Sequence, residues 1–357
     1  MAAAVLCCTG AAAANGRTAF DGNVSARSAI LVDAASGRVL FEKNADERSL
    51  IASTTKIMTG LLVCEQEDLD REILVPQEAA GVEGSSLYLE AGERITVREL
   101  LYGMMLRSGN DAAVALAIAT SGSVEAFVKA MNEKAASLGL CDTHFENPNG
   151  LDGDAHYSTA RDLAKLSIAA MENEMFRAVV SCKSMTSGTR SFTNHNKLLW
   201  RVDGADGVKT GYTKKAGRVL VGSACRNGQR LLCVTICDPD DWRDQAALFD
   251  YGFSKFMQRT LVKGGEQVGS VRVIGSKTQE IALIAEAPVS YPLAEGETFE
   301  TVLHAPAFVY APVLPGQAGW LEMRVNGACV AEVPICYAQT AEIEQTERGF
   351  WKRILGG

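Results

Sequence analysis

Hydrophobic periodicity changes character near residue 257, and this change limits the fold more than any other feature of the chain. Before it, helical faces alternate with hairpins; from Leu261 to Tyr337 only short strand-like runs remain, punctuated by Pro and Gly. In the first part, Ala29–Asp33 and Arg38–Glu42 flank the turn Ala35-Ser36-Gly37 and read as a hairpin. Ser53 to about Glu65 reads as a helix. Thr96-Val97-Arg98-Glu99 is a capping box, and the helix it opens ends near Ser108-Gly109, where Asp111 can begin another. Val124 to Leu138 has one apolar face and stops at Gly139. Ser158 is placed to cap a further helix through Leu163 and Leu166. Arg218–Cys225 and Gln229–Cys237 flank Asn227-Gly228, a strong two-residue hairpin signal, and Asp241 to Met257 is helical. In the last part, strands are expected at Val268–Ile274, Ile281–Ala285, Thr298–Leu303, Leu321–Val325 and Cys329–Ile335.

The chain is long enough, at 357 residues, for about two domains of ~150 residues. The expected class is α+β: an antiparallel sheet with a helical subdomain over residues 15–257, then a small all-β, sandwich-like domain over residues 261–340. A net charge of −8 argues against nucleic acid as a partner. No apolar run reaches the ~18 residues of a membrane-spanning helix. Residues 1–14 carry no charge, and Ala12 and Ala14 suit signal-peptidase cleavage before Asn15, so this stretch is expected to be a secretory signal. The neighbourhood of Cys7 does not suit lipoprotein cleavage, because Leu6 is too large. The ten cysteines form no CxxC and no zinc spacing with His144, His156, His195 or His304. They read as small buried hydrophobes, with a disulfide between neighbouring strands left open. No cofactor or metal is called for.

Three short motifs carry the chemistry. Ser53-Thr54-Thr55-Lys56 is S-x-x-K, Ser108-Gly109-Asn110 is S-x-N, and Lys209-Thr210-Gly211 is K-T-G. Each is weak alone, but their ordered coincidence by chance is on the order of 0.001 at average residue usage. Lys56 lies one helical turn after Ser53, so both side chains share a face. Serine needs a base, and a lysine is a base only when neutral. Burial and a second cation, Lys209, would both lower the pKa of Lys56. Ser53 is therefore the expected acyl-forming nucleophile and Lys56 its proton acceptor. Ser108 is the expected proton relay to the leaving amine, and Asn110 the ligand of the substrate amide.

This ordered set is that of penicillin-binding proteins and class A β-lactamases. The chain resembles the serine D-alanyl-D-alanine carboxypeptidases, the low-molecular-weight penicillin-binding proteins, over nearly its whole length. Ala52 to Thr59, Gly84-Ser85-Ser86, Asn149 to Asp152, Tyr157 to Asp162, Asn194 to Leu199 and Gly207 to Thr213 are all similar to family stretches. Ile51 stands where that family is expected to have proline, and Gly109 where alanine is more usual. The resemblance implies a penicillin-binding-protein/β-lactamase-like fold and removal of the terminal D-alanine from peptidoglycan stem pentapeptides through an acyl-enzyme on Ser53. It implies β-lactam antibiotics as inhibitors and an extracytoplasmic location, secreted or on the outer face of the cytoplasmic membrane. It implies that the N–H groups of Ser53 and Tyr212 hold the oxyanion, and that Lys209 and Thr210, with Gly211 in the same motif, bind the terminal carboxylate. Arg243 is a further candidate for the carboxylate. Residues 346–357, with Phe350, Trp351, Ile354 and Leu355 beside Arg348, Lys352 and Arg353, could form a short amphipathic membrane anchor.

Alternatives differ in identifiable ways. D,D-endopeptidase action shares all three motifs. A class A β-lactamase needs a glutamate-activated water, and no E-x-x-L-N occurs between Asn110 and Lys209. A non-catalytic wall-binding module would have no use for the intact Ser53, Lys56, Ser108 and Lys209 set. The histidine spacing disfavours a zinc D,D-peptidase.

Overall fold

The computed structural model describes residues 20–188 and 190–344. The leader at 1–14, the segment 346–357, and Cys7 and Cys8 lie outside the described residues. The chain divides into two compact units, Phe20–Ser254 and the part from Lys255 onward.

In the first unit the elements are β1 (Ser28–Asp33), β2 (Val39–Lys43), a 3-10 turn (Ala52–Thr55), α1 (Lys56–Gln66), β3 (Glu72–Leu74), β4 (Arg94–Thr96), α2 (Val97–Arg107), α3 (Asn110–Ser121), α4 (Val124–Ser137), α5 (Ala160–Glu172), α6 (Glu174–Ser181), β5 (Ser184–Ser187), β6 (Arg190–Thr193), α7 (Leu198–Arg201), β7 (Ala205–Thr213), β8 (Gly217–Arg226), β9 (Gln229–Ile236) and α8 (Asp241–Lys255). Five strands form an antiparallel sheet in the order β2-β1-β9-β8-β7. The β8–β9 hairpin turns at Asn227 (φ 51°) and Gly228 (φ 82°), both in the left-handed region that a two-residue turn of this kind requires.

Helix α1 lies in the middle of this unit. Every residue from Lys56 to Val63 is buried, and α2, α3, α5 and α6 pack around it. Ile57, Met58, Leu61 and Leu62 join the main apolar core, each large side chain contributing about 1.5–3 kcal/mol by leaving water. Helix α2 is capped as expected, with Thr96 Oγ1 accepting from Glu99 N at 3.1 Å. For α5 the cap is Thr159 rather than Ser158: Thr159 Oγ1 accepts from Asp162 N at 3.0 Å. Ser158 is still extended, paired with Ser49, and its hydroxyl bonds Thr143 at 2.8 Å. The expected Ser53–Glu65 helix divides into the 3-10 turn and α1, and the last helix ends at Lys255, short of Met257.

The second unit is all-β: β10 (Phe256–Val262), β11 (Gln267–Ile274), β12 (Glu280–Ala285), β13 (Val289–Ala294), β14 (Phe299–His304), β15 (Phe308–Tyr310), β16 (Gln317–Val325) and β17 (Ala328–Tyr337). Six strands run in the order β14-β16-β17-β12-β11-β15, and β10 pairs with β13. Ile281, Leu283, Met323, Val333 and Ile335 share one core with Leu261 and Val289. Strands β10, β13 and β15 were not expected. Strand β10 carries the polar run Gln258-Arg259-Thr260, β13 contains Pro292, and β15 has only three residues, so none shows a clean alternation. Among the described cysteines only Cys233 is buried and Cys141 is exposed, so the expected burial does not hold for most of them, and no two of them are joined by a disulfide.

Candidate active site

The 3-10 turn before α1 starts in a strained conformation. Ala52 has φ 47°, which costs a non-glycine residue roughly 1–2 kcal/mol. Local bonds hold it there: Thr54 N and Oγ1 both donate to Ile51 O, at 3.2 and 2.6 Å, and Thr55 Oγ1 donates to Ala52 O at 2.9 Å. Ser53 is half-buried at the head of the turn, and Lys56, fully buried, follows on the same face.

Three oxygens surround the Lys56 amine. Nζ lies 3.0 Å from Ser53 Oγ, 2.6 Å from Asn110 Oδ1 and 2.5 Å from Asn149 O. The Asn110 amide is oriented by its other end, since Nδ2 donates to Glu83 O at 2.6 Å. Ser108 closes α2 in the left-handed region (φ 65°), and Asn110 opens α3. That sharp corner directs both side chains of the S-x-N motif inward. Asp111, fully buried, clamps the neighbouring loop by accepting from Ser86 Oγ, Leu87 N and Leu89 N at 2.6, 2.8 and 3.2 Å.

Lys209 comes from β7, the edge strand of the sheet. It is 1% exposed, and its Nζ donates to Ser108 Oγ at 3.2 Å and Thr210 O at 2.8 Å. Glycine at 211 lets β7 approach the Ser53 turn: a Cβ there would lie 3.1 Å from both Ser53 N and Ile51 O. The three motifs thus converge through Lys56–Ser53, Lys56–Asn110 and Lys209–Ser108 contacts. Thr210 is half-buried and Tyr212 is exposed on the same strand. The Arg243 guanidinium pairs with Asp240 at 2.8 Å and Asp244 at 3.0 Å and stands well exposed.

The family profile described as D-alanyl-D-alanine carboxypeptidase matches residues 13–240, and that of the penicillin-binding protein 5 C-terminal domain matches residues 256–342. The chain belongs to the D-alanyl-D-alanine carboxypeptidase family. It is 34% identical to the D-alanyl-D-alanine carboxypeptidase DacF of Bacillus subtilis, over 93% of this chain and 89% of that protein. It is 33% identical to DacC of Escherichia coli, over 93% and 87%. Penicillin-binding protein 5 of Haemophilus influenzae superposes with a TM-score of 0.78 at 27% identity, covering 90% of this chain and 98% of that one. The protein is accordingly a serine-type D-alanyl-D-alanine carboxypeptidase of peptidoglycan metabolism, in the penicillin-binding family.

Electrostatics in the carboxypeptidase site favour a neutral Lys56. Burial, followed by the charge of Lys209, holds Lys56 well below the usual lysine value, against the opposing pull of Asp111. Burial lowers Lys209 to about 7.

Two contributors were not recognisable as such in the sequence. One is the Asn149 carbonyl, a backbone group that no side-chain pattern reports. Its loop is pinned by Gly150 N donating to Asn147 Oδ1 (2.7 Å) and Leu151 N donating to Asn149 Oδ1 (3.1 Å). Gly150 has φ 88°, and a Cβ there would meet Ala52 O at 2.0 Å. Gly150→Ala is therefore expected to cost about 2 kcal/mol or more and lower Tm by about 4–8 °C in this catalytic unit. It should slow acylation as well, because the clash pushes the Asn149 carbonyl away from Lys56; calorimetry and penicillin labelling check both effects. The second is His156, expected to be structural or at the surface; it is buried beside the Ser53 turn, bonded to Thr55. The residues flanking these two resembled family stretches, which was the available signal.

Proposed function

We propose that Ser53 attacks the penultimate D-alanine carbonyl, Lys56 accepts the hydroxyl proton, Ser108 passes a proton to the departing D-alanine amine, and Lys209 with Thr210 holds the terminal carboxylate. The arrangement around Lys56 Nζ carries this reading. Asn110 Oδ1 and Asn149 O are acceptors only, so a neutral amine gives both its N–H bonds to them and turns its lone pair to the Ser53 hydroxyl, 3.0 Å away. The Ser53 Oγ–carbonyl bond forms, the peptide C–N bond breaks, and the amine leaves with its proton. Water then hydrolyses the ester and restores the Ser53 hydroxyl. The oxyanion is assigned to the N–H groups of Ser53 and Tyr212, which the close approach of Gly211 to Ser53 N supports. Asn110 is assigned to the substrate amide. The free edge of β7 suits an extended stem peptide pairing as an added strand. Arg243, well exposed and paired with Asp240 and Asp244, is a further candidate ligand of the terminal carboxylate.

Peptidoglycan lies outside the cytoplasmic membrane, so export through residues 1–14, and membrane contact through residues 346–357, complete the proposal. The family assignment supports D-alanine removal over the β-lactamase alternative.

Lys209 provides the test. Only its protonated form attracts a carboxylate, and raising pH through about 7 removes that proton. The kcat/KM for D-alanine release from diacetyl-Lys-D-Ala-D-Ala is expected to fall along that limb. The opposite, ascending limb belongs to Lys56, active when neutral. In Lys209→Arg the descending limb should vanish, since a guanidinium does not titrate there. A limb near pH 7 that survives unchanged in Lys209→Arg would overturn the assignment.

A further inference from the structure

Three hydrogen bonds run in one direction towards the carbonyl that precedes Ser53. Glu146 N donates to His156 Nδ1 at 3.1 Å. A backbone amide can only donate, so Nδ1 holds the lone pair and the neutral ring carries its proton on Nε2. Nε2 lies 2.7 Å from Thr55 Oγ1 and donates to it. The Thr55 hydroxyl proton is thereby directed to Ala52 O, 2.9 Å away. His156 and Thr55 are 1% and 0% exposed, so no bulk water competes for these groups. Burial, reinforced by His144, lowers His156 to about 4, which keeps the ring neutral near pH 7.

The far end of this chain matters more than its length. Ala52 is the residue in the left-handed region, and the peptide joining it to Ser53 is planar. Anchoring its oxygen also fixes the direction of Ser53 N–H, on the opposite side of the same plane. A Cβ at Gly211 would sit 3.1 Å from Ser53 N, so that nitrogen faces β7. We propose that His156, acting through Thr55, is a positioning residue that holds the Ala52–Ser53 peptide with its N–H aimed at the developing oxyanion. This rests on the proposed role of Ser53. Lys56 makes no hydrogen bond in this chain: its amine is bonded to Ser53, Asn110 and Asn149.

Four variants test it: Thr55→Val, which keeps the shape and loses the hydroxyl; Thr55→Ser, which keeps the hydroxyl; His156→Phe, which loses the donor; and His156→Gln, which retains an amide donor. The readouts are the benzylpenicillin acylation rate, kcat and KM for D-alanine release, Tm, and affinity for a peptidyl boronate, whose tetrahedral oxygen occupies the oxyanion position. Thr55→Val and His156→Phe are expected to acylate about 10–100-fold more slowly, through kcat with KM little changed, and boronate affinity should fall by a matching factor. Thr55→Ser and His156→Gln should recover most of the loss. Thr55→Val decides the matter if His156→Phe does not fold. A folded Thr55→Val protein within about twofold of wild type, or one with slow acylation but unchanged boronate affinity, overturns the proposal. Wild type must accept the penicillin label and Ser53→Ala must not. If that control fails, the role of Ser53 falls; if it holds and Thr55→Val is normal, only the positioning role falls.

Discussion

Ser53→Ala is expected to abolish covalent labelling by penicillin and to lower D-alanine release by on the order of 10⁴-fold or more, as loss of an acyl-forming nucleophile does elsewhere. Ser53 is half-buried, and its hydroxyl meets Lys56 at the mouth of the site, so the fold should survive. Ground-state binding should survive too, because the proposed carboxylate ligands Lys209 and Thr210 lie on β7 and are untouched. Gel fluorescence with a labelled penicillin reads the covalent step, and a D-alanine assay reads turnover. Equilibrium binding of diacetyl-Lys-D-Ala-D-Ala should change little. A labelled Ser53→Ala protein would show that another residue forms the acyl-enzyme.

Lys56→Met should be nearly as severe, for a different reason. Methionine fills a similar volume without a lone pair, so the variant loses general-base assistance, worth about 10²–10⁴-fold. Acylation should slow by about 10³-fold and depend on hydroxide rather than on an amine titration. Stability is a balance of opposing effects. Asn110 Oδ1 and Asn149 O each lose a buried donor, costing about 1–3 kcal/mol apiece, while removal of a buried amine next to Lys209 offsets part of that. Lys56→Arg should be equally inactive, since its guanidinium stays charged and cannot take a proton. Stopped-flow acylation across pH distinguishes these cases. Acylation of either variant within about tenfold of wild type would remove Lys56 from the base role.

Much of this fold was legible because it depends on local chemistry. The Thr96 cap, the left-handed Asn227-Gly228 turn and the stop at Gly139 each follow from what a few consecutive residues can adopt. Errors arose where a tertiary contact competed. Ser158 has the right side chain for a cap, but its backbone is taken by Ser49, so Thr159 caps α5 instead. Phe256 could continue a helix, but pairing with Ala294 draws it into β10.

The active site divides in the same way. Residue type and order singled out Ser53, Lys56, Ser108, Asn110 and Lys209 as candidates, because a nucleophile, a base and a cation must be particular side chains, and the fold brings these five together. Arg243 had suitable chemistry, and the fold adds only that its exposed guanidinium is paired with Asp240 and Asp244 at the start of α8. Nothing in the sequence could report that Asn149 would offer a carbonyl to Lys56, or that Ala52 would sit at φ 47° under a bond from Thr55. Every residue carries the same carbonyl, and only its position in the folded chain makes one of them a ligand. Sequence therefore determined which groups could react, and tertiary packing decided their protonation and aim, because burial and backbone direction arise from the whole fold.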